Sequence, residues 1–191
     1  EALQGSVKSA LEAVQGAQTE DDRAIAVQKL KAHKPATAAD VHALMDAVRQ
    51  KSISAPIPAE VLMNADDPQL VPVFMQALDD PDIDVQAASV RTLGKMKARE
   101  AAPLLIKKFK SLPPELMPSA NANKVELKQT AQLGQYLAWA LGRMGDPSAV
   151  PVLIARPEFY FHEFGESPLA MIGAPAVPAL SMSLLLVMTS S

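Results

Sequence analysis

Apolar residues recur along this chain at the three- and four-residue steps of a helix. Leu70, Val73, Phe74, Ala77 and Leu78 share one helical face, and so do Val41, Leu44, Met45 and Val48. Ala102, Leu105, Ile106 and Phe109 repeat the pattern, and Leu133, Leu137 and Leu141 follow at four-residue steps. The stretches Gly5 to Val14 and Asp21 to Lys31 also read as helices. β-branched residues are scattered singly, and no alternating apolar and polar run is long enough for a strand. The pattern predicts an all-α protein.

The helical segments recur as a unit. VRTLGKMKAREAAPLLIKKF (Val90 to Phe109), AWALGRMGDPSAVPVLI (Ala138 to Ile154) and SPLAMIGAPAVPAL (Ser167 to Leu180) share one plan. An apolar helix runs to a glycine, a short turn follows, and a proline opens a new apolar run. DDPQLVPVFMQAL, from Asp66 to Leu78, supplies the second half alone. Gly94, Gly142 and Gly173 lie at or near helix ends, where a residue without Cβ adopts a left-handed cap or lets a neighbour approach. Asp67-Pro68 and Asp146-Pro147 make turns. Pro72, Pro103, Pro151 and Pro178 fit only a first helical turn, where the missing N–H has no partner to lose. The helix after Pro147 is therefore expected to begin near Ser148, with that residue as its N-cap.

LGRMGDPSAVPVLI resembles the HEAT-like repeat named after phycobilisome lyases, and IGAPAVPAL resembles a variant of it. The resemblance extends from about Asp66 to Leu180. It implies antiparallel helix pairs stacked as a right-handed α-solenoid of about five HEAT-like pairs, with second helices on the concave side. The chain is then a single repeat domain over residues 1–191. Residues 1–55 form atypical N-terminal helices, and regular repeats run over 56–188. Insertions interrupt them at 111–124 and 156–167. Insertions in repeat arrays often gather on one face and often bind.

Charge and composition narrow the function classes. The 191 residues carry a formal net charge of −3, which offers no basic footprint for nucleic acid. Cysteine is absent, which removes disulfides, thiolate metal sites and cysteine nucleophiles. The C-terminal run from Ala179 to Met188 is apolar for ten residues, about half of what a membrane-spanning helix needs. It reads as a core or interface helix covered on both sides, with homo-oligomerisation through this segment as one way to cover it. The start without methionine and the absence of cysteine lean toward an exported, periplasmic protein over a cytoplasmic one.

Aromatic residues make the most informative local cluster. Six of the eight lie between positions 136 and 164: Tyr136, Trp139, Phe159, Tyr160, Phe161 and Phe164. Such side chains bury large areas with few rotors, so they serve either as filling between two repeats or as a partner surface. Lys107 and Lys108, with Lys110, fall on or near the exposed side of a second helix and could meet an acidic partner. His162 belongs to the same surface. With Glu163 it forms the one pair in the chain similar to the His-Glu motifs of deoxyhypusine hydroxylase, a di-iron HEAT-repeat enzyme. A single pair cannot hold two irons, so no metal is expected. The acids Asp79, Asp80, Asp82 and Asp84 lack the spacing of a calcium loop, with Val85 and Arg91 where glycine and glutamate would stand. They read as helix-capping residues.

No phosphate-binding loop, nucleophile elbow or zinc spacing is present. The expected function is a non-catalytic scaffold that binds another protein through its concave face or the aromatic insertion, without a cofactor. The partner-binding residues are Tyr136, Trp139, Phe159, Tyr160, Phe161, His162, Phe164, Lys107 and Lys108. The alternative implied by the repeat resemblance is a phycobilin-lyase-like enzyme or enzyme subunit, with Arg143 and Arg156 beside the aromatics to hold a linear tetrapyrrole.

Overall fold

The structure, a computed structural model, describes residues 6–54, 56–113, 124–159 and 167–178. Ten α-helices and no strand occur among them: α1 Val7–Gly16, α2 Glu20–Lys31, α3 Ala38–Gln50, α4 Pro56–Leu62, α5 Val71–Gln76, α6 Ile83–Met96, α7 Ala102–Ser111, α8 Lys124–Met144, α9 Val150–Ala155 and α10 Pro168–Ile172. The chain divides into two compact units, Glu1–Thr92 and Leu93–Ser191, with the boundary inside α6. The C-terminal apolar run lies outside the described residues. Among the described helices none is long and apolar enough to cross a membrane.

In the first unit alternate helices stack, α1 on α3 and α2 on α4, while α1 also packs along α2. Their starts are set by side chains that accept from free helix N–H groups. Ser6 accepts from the Ser9 amide, and Thr19 from the Asp22 amide. Thr37 and Asp40 form a reciprocal capping box. Of the apolar faces foreseen in the sequence, Val41, Leu44, Met45 and Val48 of α3 are all buried, and so are Leu70, Phe74, Ala77 and Leu78, while Val73 is half-buried. Asn64 donates to the Lys31 and His33 carbonyls at 2.9 and 3.0 Å, which ends α2. Lys31–Glu60 and Lys34–Asp66 ion pairs flank that join.

Of the acids expected to cap, Asp82 does so, and Asp80 is engaged chiefly by Arg49. The Asp82 carboxylate accepts from the Asp84 and Val85 amides at the start of α6. Asp80 accepts from the Asp82 amide and is gripped by the Arg49 guanidinium at 2.6 Å. Its side chain is only 8% exposed. The Arg49 hydrogen bond holds the Asp80 carboxyl below its ordinary range, and the Asp82 amide adds to this against the opposing effect of burial.

One local device recurs at the starts of α5, α7 and α9 and again after α10. Asp67–Pro72, Ala98–Pro103, Asp146–Pro151 and Gly173–Pro178 all make the same hexapeptide turn. Its first carbonyl accepts from the amide three residues on, at 2.9 to 3.1 Å, closing a 3-10 turn. The second α-helical residue is then the proline, at Pro72, Pro103 and Pro151. The expected cap at Ser148 is corrected here. Asp146 is the cap, accepting from the Ser148 amide at 2.9 Å, because the 3-10 turn starts the helical spiral two residues earlier. A hydrogen bond from the Ser148 side chain, and after it the bond from the Ser148 amide, lowers the Asp146 carboxyl's pKa.

In the second unit α8 packs on α7 and α10, and α9 on α7 and α10. Gly142 sits inside α8, where a Cβ would meet the Pro168 backbone at 2.7 Å. Of the two roles open to this glycine, close approach is the one it fills. The left-handed conformation falls three residues later, at Gly145 (φ 66°). The equivalent position after Gly94 is Lys97, which takes the same conformation (φ 54°) despite its side chain.

Candidate partner-binding surface

The second helix α7 buries Ala102, Leu105 and Phe109 and turns Leu104, Lys107 and Lys108 the other way. These sit at steps of three and four, so they form one face. Leu104 is 40% exposed, an apolar group between solvent and the two lysines. Lys107 is exposed and Lys108 half-buried. The Ser111 hydroxyl donates to the Lys108 carbonyl and tightens the last turn.

Beyond α7 the chain is held by a residue from the next repeat. Arg156 donates to the Leu112 carbonyl at 3.2 Å and to the Pro113 carbonyl at 2.8 Å. The same guanidinium lies over the Phe159 ring, 4.6 Å from its centroid, and 5.9 Å from that of Phe109. Phe159 is 1% exposed, and its ring meets Phe109 at 5.2 Å between centroids with the planes tilted by 57°. A planar cation is suited to this place because it stacks on the rings and keeps in-plane donors for two carbonyls. The result is one junction that fixes the start of the 111–124 insertion and the start of the 156–167 insertion together.

Phe159 is thereby corrected from partner surface to core. The space for it comes from Gly134, in the middle of α8, which lets the ring lie against the helix backbone. Gly134 escaped the sequence reading. Its signal was an isolated glycine inside an otherwise helical run, which marks a packing demand.

The described aromatics do not share one face of α8. Tyr136 follows Gly134 by two residues, about 200° around the helix, and Trp139 by five, about 140°. Both therefore leave α8 on the side away from the Gly134 face that receives Phe159. Tyr136 is half-buried, and its hydroxyl accepts from the Gln132 amide at 2.9 Å. Trp139 is half-buried beneath the Arg143 guanidinium, 5.4 Å from the ring centroid. Arg99 secures the end of this helix by donating to the Met144 carbonyl at 2.8 Å. Tyr160, Phe161, His162 and Phe164 lie outside the described residues.

Comparison with known families fits this geometry. The family model for HEAT repeats matches residues 58–116, and that for the PBS lyase HEAT-like repeat matches residues 135–156. The chain carries HEAT-like repeats. The first match spans α5, α6 and α7, and the second takes in Trp139, Arg143, α9 and Arg156. HEAT repeats belong to the α-solenoid class, so the all-α fold and the repeat assignment agree. No curated protein matches the HEAT-like chain. Among the described residues no group of three or more histidines and carboxylates could hold a metal ion.

Proposed function

We propose that the second unit is a scaffold that binds another protein on the exposed face of α7 and on the two insertions rooted beside it. The observation that carries this reading is the Arg156 junction. It ties the carbonyls of Leu112 and Pro113 to the stretch that begins the second insertion, so both insertions start beside one junction. Insertions in repeat arrays often gather on one face and often bind. Lys107, Lys108 and Lys110 favour an acidic segment on the partner, with Leu104 supplying an apolar anchor.

A photo-crosslinking residue placed at Lys107 in the full chain tests the proposal in cells. The expected result is a crosslink to an acidic protein that is absent from a control position at Glu12 and weakened by Arg156→Ala. Equal labelling at both positions would overturn it.

The alternative, a phycobilin-lyase-like enzyme or subunit, draws support from the PBS lyase type of repeat at 135–156 and the Arg143–Trp139 pair within it. Titration with a linear tetrapyrrole, followed by absorption, tests that reading. An unchanged spectrum removes it.

A further inference from the structure

The first unit carries an open groove of about 930 Å³ between α1 and α2. Its α1 wall is made of small residues, Ala13 and Gly16 among them, and its α2 wall of Asp22, Ile25, Ala26 and Lys29. A Cβ built at Gly16 meets nothing within 4 Å. Ile25 is 55% exposed on the lip of this groove, beside its small-residue wall.

The charges along α2 indicate what fits there. Its first turn is acidic, with Glu20, Asp21 and Asp22, and its last turn is basic, with Lys29 and Lys31. Asp22, Ile25 and Lys29 are exposed and Ala26 is buried at the groove floor; the four lie on one face at steps of three, one and three. Now let a second α2 lie antiparallel across the first, with a two-fold axis between positions 25 and 26. Asp22 then faces Lys29 of the other copy, Ile25 faces Ala26, and Gln18 faces His33, each pairing occurring twice. A two-fold interface requires a self-complementary patch of this kind. The small walls leave room for the opposing Ile25 to enter.

We propose that this groove is filled by a second copy of the same chain, through an antiparallel α2–α2 contact centred on Ile25 and Ala26. The contact is small, so the dimer is concentration-dependent. It uses other residues than the α7 surface and stands whether or not that surface binds a partner.

Sedimentation of the full chain over a range of concentrations tests the proposal, with helix content checked by circular dichroism. The wild type is expected to pass from monomer to dimer as concentration rises. Lys29→Glu makes both symmetric pairs repulsive and should weaken the dimer about tenfold or more. Asp22→Lys should do the same. An equimolar mixture of the two variants restores both pairs across a heterodimer and should sediment as a dimer. Ile25→Glu leaves the Thr19–Asp22 cap intact and should also give monomers, which keeps the test decisive if Asp22→Lys unfolds. A wild type monomeric at every concentration would overturn the proposal, and so would dimers unaffected by Lys29→Glu or Ile25→Glu.

Discussion

The ring of Phe159 lies so close to Gly134 that a Cβ on that residue would stand 2.1 Å from the ring edge. Two effects of opposite sign therefore meet in Gly134→Ala. Helix propensity favours alanine by about 1 kcal/mol in a helix interior. Overpacking against a buried ring works the other way, at about 1–3 kcal/mol. The ring is pinned by Phe109 and Arg156, so it has little room to yield, and we expect net destabilisation. Urea unfolding monitored through the single tryptophan, Trp139, decides the sign. Phe159→Leu in the same background should recover part of the loss.

Lys97 and Gly145 make the same turn with different residues. Lys97→Gly should stabilise the protein by about 0.5–1 kcal/mol, the strain of a left-handed Cβ less the entropy of a freer unfolded chain. Gly145→Ala should destabilise it by about 1 kcal/mol. Thermal unfolding of both variants checks the pair, and a lower melting temperature for Lys97→Gly would contradict the account.

Arg156→Ala removes two hydrogen bonds and a stacked cation, and should lower stability by about 1–2 kcal/mol. Lysine lacks the planar fork, so Arg156→Lys should recover less than half of that. Amide hydrogen exchange at the end of α7 should rise in both variants, because the Leu112 and Pro113 carbonyls lose their partner.

The Arg49–Asp80 pair predicts a pH dependence. Asp80 has a lowered pKa in the folded state, so its contribution is complete above the unfolded-state value, about 3.9, and is lost as pH falls through the folded value. Arg49→Met should cost about 1 kcal/mol at pH 7, a modest figure because the arginine is partly solvated. The gap between wild type and variant should narrow as acid protonates Asp80. Urea titrations at pH 7 and pH 3 measure it, and a gap that widens in acid would refute the assignment.

Much of the fold was legible because its signals are local. The periodic faces of α3, α5 and α7 and the prolines at the second position of α5, α7 and α9 follow from single-helix geometry. The acids before α6 do so as well. What escaped reading depends on contacts between repeats. Gly142 reads equally well as a cap or as a site of close approach, and only Pro168 across the helix pair decides. The Ser148 cap was misplaced because Asp-Pro starts a 3-10 turn that plain helix periodicity does not contain. Among the described aromatics, Phe159 parts from Tyr136 and Trp139. Phe159 turns inward because Gly134, 25 positions earlier, makes room for it, while Tyr136 and Trp139 leave the opposite side of the same helix.

The Arg156 junction also bears on how this chain can change over time. Pro113 is held from outside, and Lys124 begins a long packed helix, so the ends of the intervening stretch are placed by the repeats and not by the stretch itself. The entropy of joining two fixed points grows only with the logarithm of the number of residues between them, about 0.6 kcal/mol per doubling. Changing the length of the 111–124 insertion should therefore cost the packed repeats on either side little, which leaves its sequence room to change.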